Sequence, residues 1–176
     1  MSPNSAANSL AEIYTLGYGN RTPEQLFDLV KANACGYLID VRSLPYSKYH
    51  IEYNREALEH TATEFGVKYL YLGEQLGGKP REDERDALGR ADYIQMAKKP
   101  SFQQGIDRLL KAREQGIAVA LLCAELRPET CHRTKLIGEA LISEGIELVH
   151  IDELGNLCTQ SEATERLNSG QVDLFN

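Results

Sequence analysis

The segment Cys123-Ala124-Glu125-Leu126-Arg127-Pro128-Glu129-Thr130-Cys131-His132-Arg133 gathers two thiols, an acid, an imidazole and a guanidinium within eleven residues. It follows the apolar run 117–122, which reads as a strand buried on both faces. Pro128 suits the first position of a helix, so Cys131, His132 and Arg133 are expected in that helix's first turn. Backbone N–H groups there favour an anion and lower a thiol's pKa. Cys131 is therefore expected as a thiolate, or the turn as a phosphate cradle. Cys123 is a second candidate nucleophile or redox thiol, Glu125 a candidate acid or base, His132 the neighbouring imidazole and Arg133 an anion binder. Each residue alone has a plainer reading, since a buried Cys is usually a small hydrophobe. The convergence of five such side chains favours chemistry.

Spacing removes the sharper readings of this segment. A phosphatase or rhodanese loop puts Arg six residues after its nucleophilic Cys, and here that position is Glu129. A zinc-dependent base deaminase uses H-x-E followed by P-C-x-x-C. Cys123-Ala124-Glu125 mimics only the first half, and no CxxC is present. Cys123, Cys131 and His132 are suitable zinc ligands by type, but adjacent residues on a helix rarely aim at one ion, so no metal centre is expected.

Two further turns carry candidate binding residues. Gly17-Tyr18-Gly19-Asn20 lacks the third glycine of a dinucleotide fingerprint, although Gly17 would let backbone approach a ligand closely and Asn20 offers a polar contact. Asp40-Val41-Arg42-Ser43-Leu44-Pro45-Tyr46 places Asp40, Arg42 and Tyr46 at a strand end. Cations interleaved with aromatic faces suit a nucleotide or nucleobase. Gly77-Gly78-Lys79 is expected as a mobile basic lid, without the rest of a P-loop.

The elements that must position these residues alternate between strand and helix. Strands are expected at 12–16, 37–41, 67–72, 117–122 and 146–151. Helices are expected from Thr22-Pro23-Glu24-Gln25, with its capping-box pattern, and at 54–65, 93–97, 102–113 and 128–144. Such alternation implies an α/β domain, a single three-layer Rossmann-like unit with a mostly parallel sheet of about five strands. Residues 1–11 are expected as a flexible N-terminus, 12–152 as the α/β domain and 153–176 as an appendage, with a short helix near 162–167. In open parallel sheets ligands bind beyond the carboxyl ends of the strands, where all three chemical turns fall.

The chain has 176 residues, 42% hydrophobic and 26% charged, as an ordinary globular domain does. No apolar run approaches the roughly 18 residues of a membrane span, and no secretory leader is visible, so the cytoplasm is the expected location. A net charge of −7 disfavours bulk attraction to a nucleic-acid backbone. The four cysteines form no CxxC pair and fit reduced thiols.

Five motifs in order carry a family resemblance: Tyr14 to Asn20, Asp40-Val41-Arg42 with Pro45 and Ser47-Lys48-Tyr49, Leu76-Gly77-Gly78, Cys123-Ala124-Glu125, and Cys131-His132-Arg133. Together they resemble the uncharacterised domain of unknown function family four-eight-eight over residues 12–152. The resemblance implies an α/β domain and a shared site of Asp40, Arg42, Glu125, Cys131, His132 and Arg133, but no known reaction. Tyr18 stands where that family usually has His, and His50 or His132 would have to replace it if that His were a base.

The C-terminal Gln171-Val172-Asp173-Leu174-Phe175 is similar to the peptide by which bacterial replication and repair proteins bind the sliding clamp. Gln171 would anchor by hydrogen bonds, and Leu174 and Phe175 would fill an apolar pocket. The expected function is a small cytosolic enzyme acting on a nucleotide or nucleic-acid base, tethered to the clamp in DNA maintenance, with its cofactors unknown. Two alternatives stand beside it: a non-catalytic nucleotide- or anion-binding module, and a thiol-redox protein using Cys123 and Cys131.

Overall fold

The computed structural model describes residues 10–172. Most of the expected N-terminal segment, residues 1–9, lies outside them. Parallel strands β1 (Ile13–Gly17), β2 (Tyr37–Asp40), β3 (Lys68–Tyr71), β4 (Val119–Cys123) and β5 (Val149–Ile151) join an antiparallel edge strand, β6 (Leu157–Thr159). The sheet order is β3-β2-β4-β1-β5-β6. Every residue of β4 is buried, as its unbroken apolar run requires.

Helices α1 (Pro23–Ala32) and α2 (Arg55–Glu64) cover one face. The other is covered by α3 (Gly73–Leu76), α4 (Tyr93–Ala97), α5 (Pro100–Glu114) and a helix that is π-helical over Arg133–Gly138 and α-helical over Glu139–Ser143 (α6). The three-layer α/β class is thus as expected. The α1 start is also as its residues dictate: Gln25 N donates to Thr22 Oγ1 at 3.3 Å and Thr22 N donates to Gln25 Oε1 at 3.0 Å.

Three elements differ from expectation. The sheet has six strands, because residues 157–159 pair with β5 rather than standing apart. The hairpin between them closes on Asp152 Oδ1, which accepts from Leu154 N at 3.0 Å and Asn156 N at 2.9 Å, with Gly155 at φ 84°. Next, the final helix α7 (Gln160–Val172) is long and begins at the fully buried Gln160, so 153–176 supplies part of the fold. Three residues of β6 are too few to reveal a period of two. Finally, 128–144 is not one helix. A 3-10 turn at Pro128–Thr130 ends at Cys131, which is extended (φ −96°, ψ 154°), and helical geometry resumes at His132 (φ −62°, ψ −17°).

The helix after β1 packs on one face of the sheet and the helix after β4 on the other, yet β1 and β4 are neighbours. Their diverging connections open a crevice beyond the carboxyl ends, the usual ligand position of such sheets.

Candidate functional site

A cleft of about 360 Å³ occupies that crevice. Tyr18, Arg42, Ser43, Tyr46, Tyr93 and Lys79 line it together with Cys123, Glu125 and His132. Its size suits a small molecule.

The loop leaving β4 is stitched to the loop leaving β1. Tyr18 N donates to the Cys123 carbonyl and Gly19 N to the Ala124 carbonyl, both at 3.0 Å. Any side chain at Gly17 would overlap the Glu125 carbonyl, so Gly17 is required for this close approach and is not itself a ligand contact. Tyr18 stacks on Tyr53 with ring centroids 4.2 Å apart, and the Arg42 guanidinium lies over the Tyr18 ring, 5.4 Å from its centroid. The tyrosine in place of the family's histidine thus forms a wall. His50 packs edge-on against it at 5.7 Å.

The imidazole of His132 is the hub of the chemical side. Its Nε2 faces the Val41 carbonyl at 3.2 Å. A carbonyl can only accept, so Nε2 carries a hydrogen, and Nδ1 is the nitrogen turned toward the thiols. That nitrogen lies 3.7 Å from Cys123 Sγ and 3.6 Å from Cys131 Sγ. Gly78 covers the ring, and a Cβ there would overlap it. Lys79 N donates to Ser43 Oγ at 2.9 Å, so the expected lid is tied down as a wall of the cleft.

Cys131 is fully buried behind Cys123 and His132. Burial pushes its thiol up, but the hydrogen bond from Cys123, the charge of Arg133 and the contact with His132 outweigh that and hold it well below the usual thiol range. Cys123 is pushed the other way, by its hydrogen bond to Cys131 and then by burial. The two shifts run in opposite directions, so Cys131 is the thiol of the pair that ionises first. Glu125 is exposed at the cleft mouth; partial burial, then the Cys131 charge, raise its carboxyl above the ordinary value. That is the direction an acid–base group requires at neutral pH.

Two expected substrate binders are turned inward. Arg133 is fully buried: Nε donates to Cys131 Sγ at 3.3 Å, Nη1 to Thr15 Oγ1 at 3.1 Å and Nη2 to the Glu125 carbonyl at 2.7 Å. Asp40 is also fully buried. It accepts from Arg42 Nε at 2.9 Å, Arg42 Nη2 at 2.6 Å and Tyr69 Oη at 2.8 Å. Arg42 itself reaches the cleft, and its Nη1 has no hydrogen-bond partner among the described residues. Tyr46 lines the cleft and donates to Glu56 at 2.8 Å. Asn20 is exposed in a separate groove beside Arg21 and Glu153.

Sequence reasoning did not single out Tyr93, the packing of Gly78 on the His132 ring, or a polar chain running inward. Thr15 Oγ1 donates to His150 Nδ1 at 2.7 Å, His150 Nε2 to Gln160 Oε1 at 2.8 Å, and Gln160 Nε2 to the Thr134 carbonyl at 3.0 Å. Of the residues expected to touch a clamp, Leu174 and Phe175 lie outside the described residues. For Gln171 only the backbone is described, in the last turn of α7.

The family model for the domain of unknown function DUF488 matches residues 22–141. Comparisons with curated proteins and with solved structures found no match.

Proposed function

This chain belongs to the DUF488 family, and from that premise we propose that it is an enzyme acting on a nucleotide or a nucleic-acid base. One observation carries the reading: Cys123, Glu125 and His132 open into a single cleft whose remaining walls are tyrosine faces and cations. Tyr46 and Tyr93 offer stacking surfaces for a base. Lys79 and the free Nη1 of Arg42 take the anionic part. Glu125 moves the proton, and the Cys123–His132 pair faces the reacting atom. A second cavity of about 280 Å³ shares Ser43 and Lys79 with the first, which leaves room for more than one nucleotide. The C-terminal Gln171, Leu174 and Phe175 serve as a tether to the sliding clamp. This tether concentrates an acidic protein at DNA without a large basic surface.

The test offers the purified protein nucleoside monophosphates and short single-stranded oligodeoxynucleotides, with products separated by chromatography. Binding is followed through the emission of nine tyrosines, free of tryptophan. Saturable binding and conversion are expected. Glu125→Ala should lower kcat by about 10²- to 10⁴-fold while leaving the melting temperature unchanged. Full activity in that variant removes Glu125 from the chemistry. Ligand bound tightly but recovered unchanged turns the protein into a binding module.

A further inference from the structure

We infer that Cys123, Cys131 and His132 form a three-ligand site for a zinc-class divalent ion whose fourth position opens into the cleft. The ligand atoms Cys123 Sγ, Cys131 Sγ and His132 Nδ1 all lie within 4.8 Å of one another. In a tetrahedral centre with Zn–S near 2.3 Å and Zn–N near 2.0–2.1 Å, the sulfur–nitrogen edge is roughly 3.6 Å. The two observed edges are 3.6 and 3.7 Å. Only the sulfur–sulfur edge has to close, to roughly 3.8 Å at those bond lengths.

The helical objection to adjacent ligands does not apply here. Cys131 is extended and His132 is helical, and this break lets two consecutive side chains converge on one point. The surroundings are also those of a ligand set. Nε2–H of His132 donates to the Val41 carbonyl, which fixes the ring and frees Nδ1, as the outer partners of metal-bound histidines do. One ion satisfies all three ligand atoms together.

Arg133 supplies an independent argument. It is fully buried and forms no ion pair with a carboxylate among the described residues; the sulfur of Cys131 is its only partner able to bear negative charge. A sulfur with no exposed surface cannot attack a substrate in the cleft, but it can hold an ion. Cys123 and His132 line the cleft while Cys131 lies behind them, so the open position faces Glu125 and the substrate. Two thiolates and one histidine with an open position are the donor set of a catalytic rather than a structural zinc. The class of reaction this suits is metal-assisted hydrolysis, with Glu125 handling the proton. This assignment deepens the reading of the cleft as a reaction centre and rests on it for the role of the open position.

The test reads metal with no substrate present. The full chain is purified under reducing conditions, stripped with chelator and titrated with zinc or cobalt. The result expected is one bound equivalent by elemental analysis. Cobalt should give thiolate-to-metal charge-transfer absorption and the intense visible bands of tetrahedral coordination. Cys123→Ser and His132→Gln should each weaken zinc at least 10-fold and remove the charge-transfer band or shift it. Cys158→Ser, buried far from the cleft in β6, should change neither. Failure to bind zinc or cobalt at micromolar concentration overturns the site, as does undiminished binding in both ligand variants. A Cys123–Cys131 disulfide in freshly reduced and re-equilibrated protein overturns it in favour of redox chemistry. Zinc bound without turnover of any nucleotide would spare this site and refute the substrate reading; turnover in metal-free protein would do the reverse.

Discussion

Two buried arginines stand at the carboxyl ends of neighbouring regions of the sheet, and they are neutralised in opposite ways. Arg42 has a carboxylate of its own: Asp40 grips it through both oxygens, and the Tyr53 carbonyl accepts from Nη2 at 2.8 Å. Among the described residues Nη1 alone is left over, so that cluster is architecture with one donor open to the cleft. Arg133 is more deeply buried and has a thiol, a hydroxyl and a carbonyl instead. Its charge is balanced only if Cys131 is ionised. A carboxylate pair needs nothing further, whereas a buried arginine–sulfur pair is soft and polarisable, and its sulfur lies within 4.8 Å of the Cys123 sulfur and a His132 ring nitrogen. The contrast separates the part of this crevice that holds the fold from the part equipped for chemistry.

The largest effect expected tests that contrast directly. Arg42→Met strands the Asp40 charge in the interior and should cost about 3–5 kcal/mol, a fall of roughly 10 °C in melting temperature for a chain of this length. Arg133→Met should cost less, about 1–3 kcal/mol, because it removes hydrogen bonds to a thiol, a hydroxyl and a carbonyl and strands no carboxylate. Chemical denaturation of the two variants decides it, and the reverse order would break the comparison.

Acid comes next. Burial, working against the hydrogen bond to Gln160, lowers His150 to about 4, while an unfolded histidine titrates near 6.5. Between those values the unfolded chain binds the extra proton. Stability is therefore full above pH 6.5 and falls as the pH drops toward 4, by on the order of 3 kcal/mol. Denaturation midpoints across that window should follow this slope, and His150→Gln should flatten it. A slope equally steep in the variant would assign the acid sensitivity to other groups.

Thr15→Val probes the link between the arginine and that histidine. It removes the hydroxyl that accepts from Arg133 Nη1 and donates to His150 Nδ1, and should cost about 1–3 kcal/mol. In a double mutant with Arg133→Met the two losses should fall short of additivity, since they share one partner. Full additivity would show that the polar chain does not act as a unit.

The smallest effect on stability belongs to the tail. Changing Gln171, Leu174 and Phe175 together to Ala should leave the unfolding free energy within about 0.5 kcal/mol, yet abolish retention on an immobilised bacterial sliding clamp. Loss of stability with no effect on retention would make the tail a packing element.

Much of the fold could be read locally. Thr22-Pro23-Glu24-Gln25 starts a helix because its side chains satisfy its own first N–H groups. The run 117–122 must be central because nothing in it tolerates water. What escaped detection was short or non-local. The strand at 157–159 shows no period, and the helix begun at Pro128 breaks at Cys131, where its turn is redirected. Gly78 is informative only because a ring from 54 residues further on lies under it.

The sequence by itself determined which residues could do chemistry and that they would cluster at strand ends, since residue type and hydrophobic period are local properties. Only the tertiary structure decided their roles. Arg133 faces inward and Arg42 reaches the cleft. Gly17 serves backbone packing, and Cys123, Cys131 and His132 aim at one point. Those outcomes depend on which side of the crevice each side chain takes once β1, β2 and β4 lie side by side. Direction in space follows from backbone torsion at one or two residues and from neighbours distant in the chain, and residue order does not carry it.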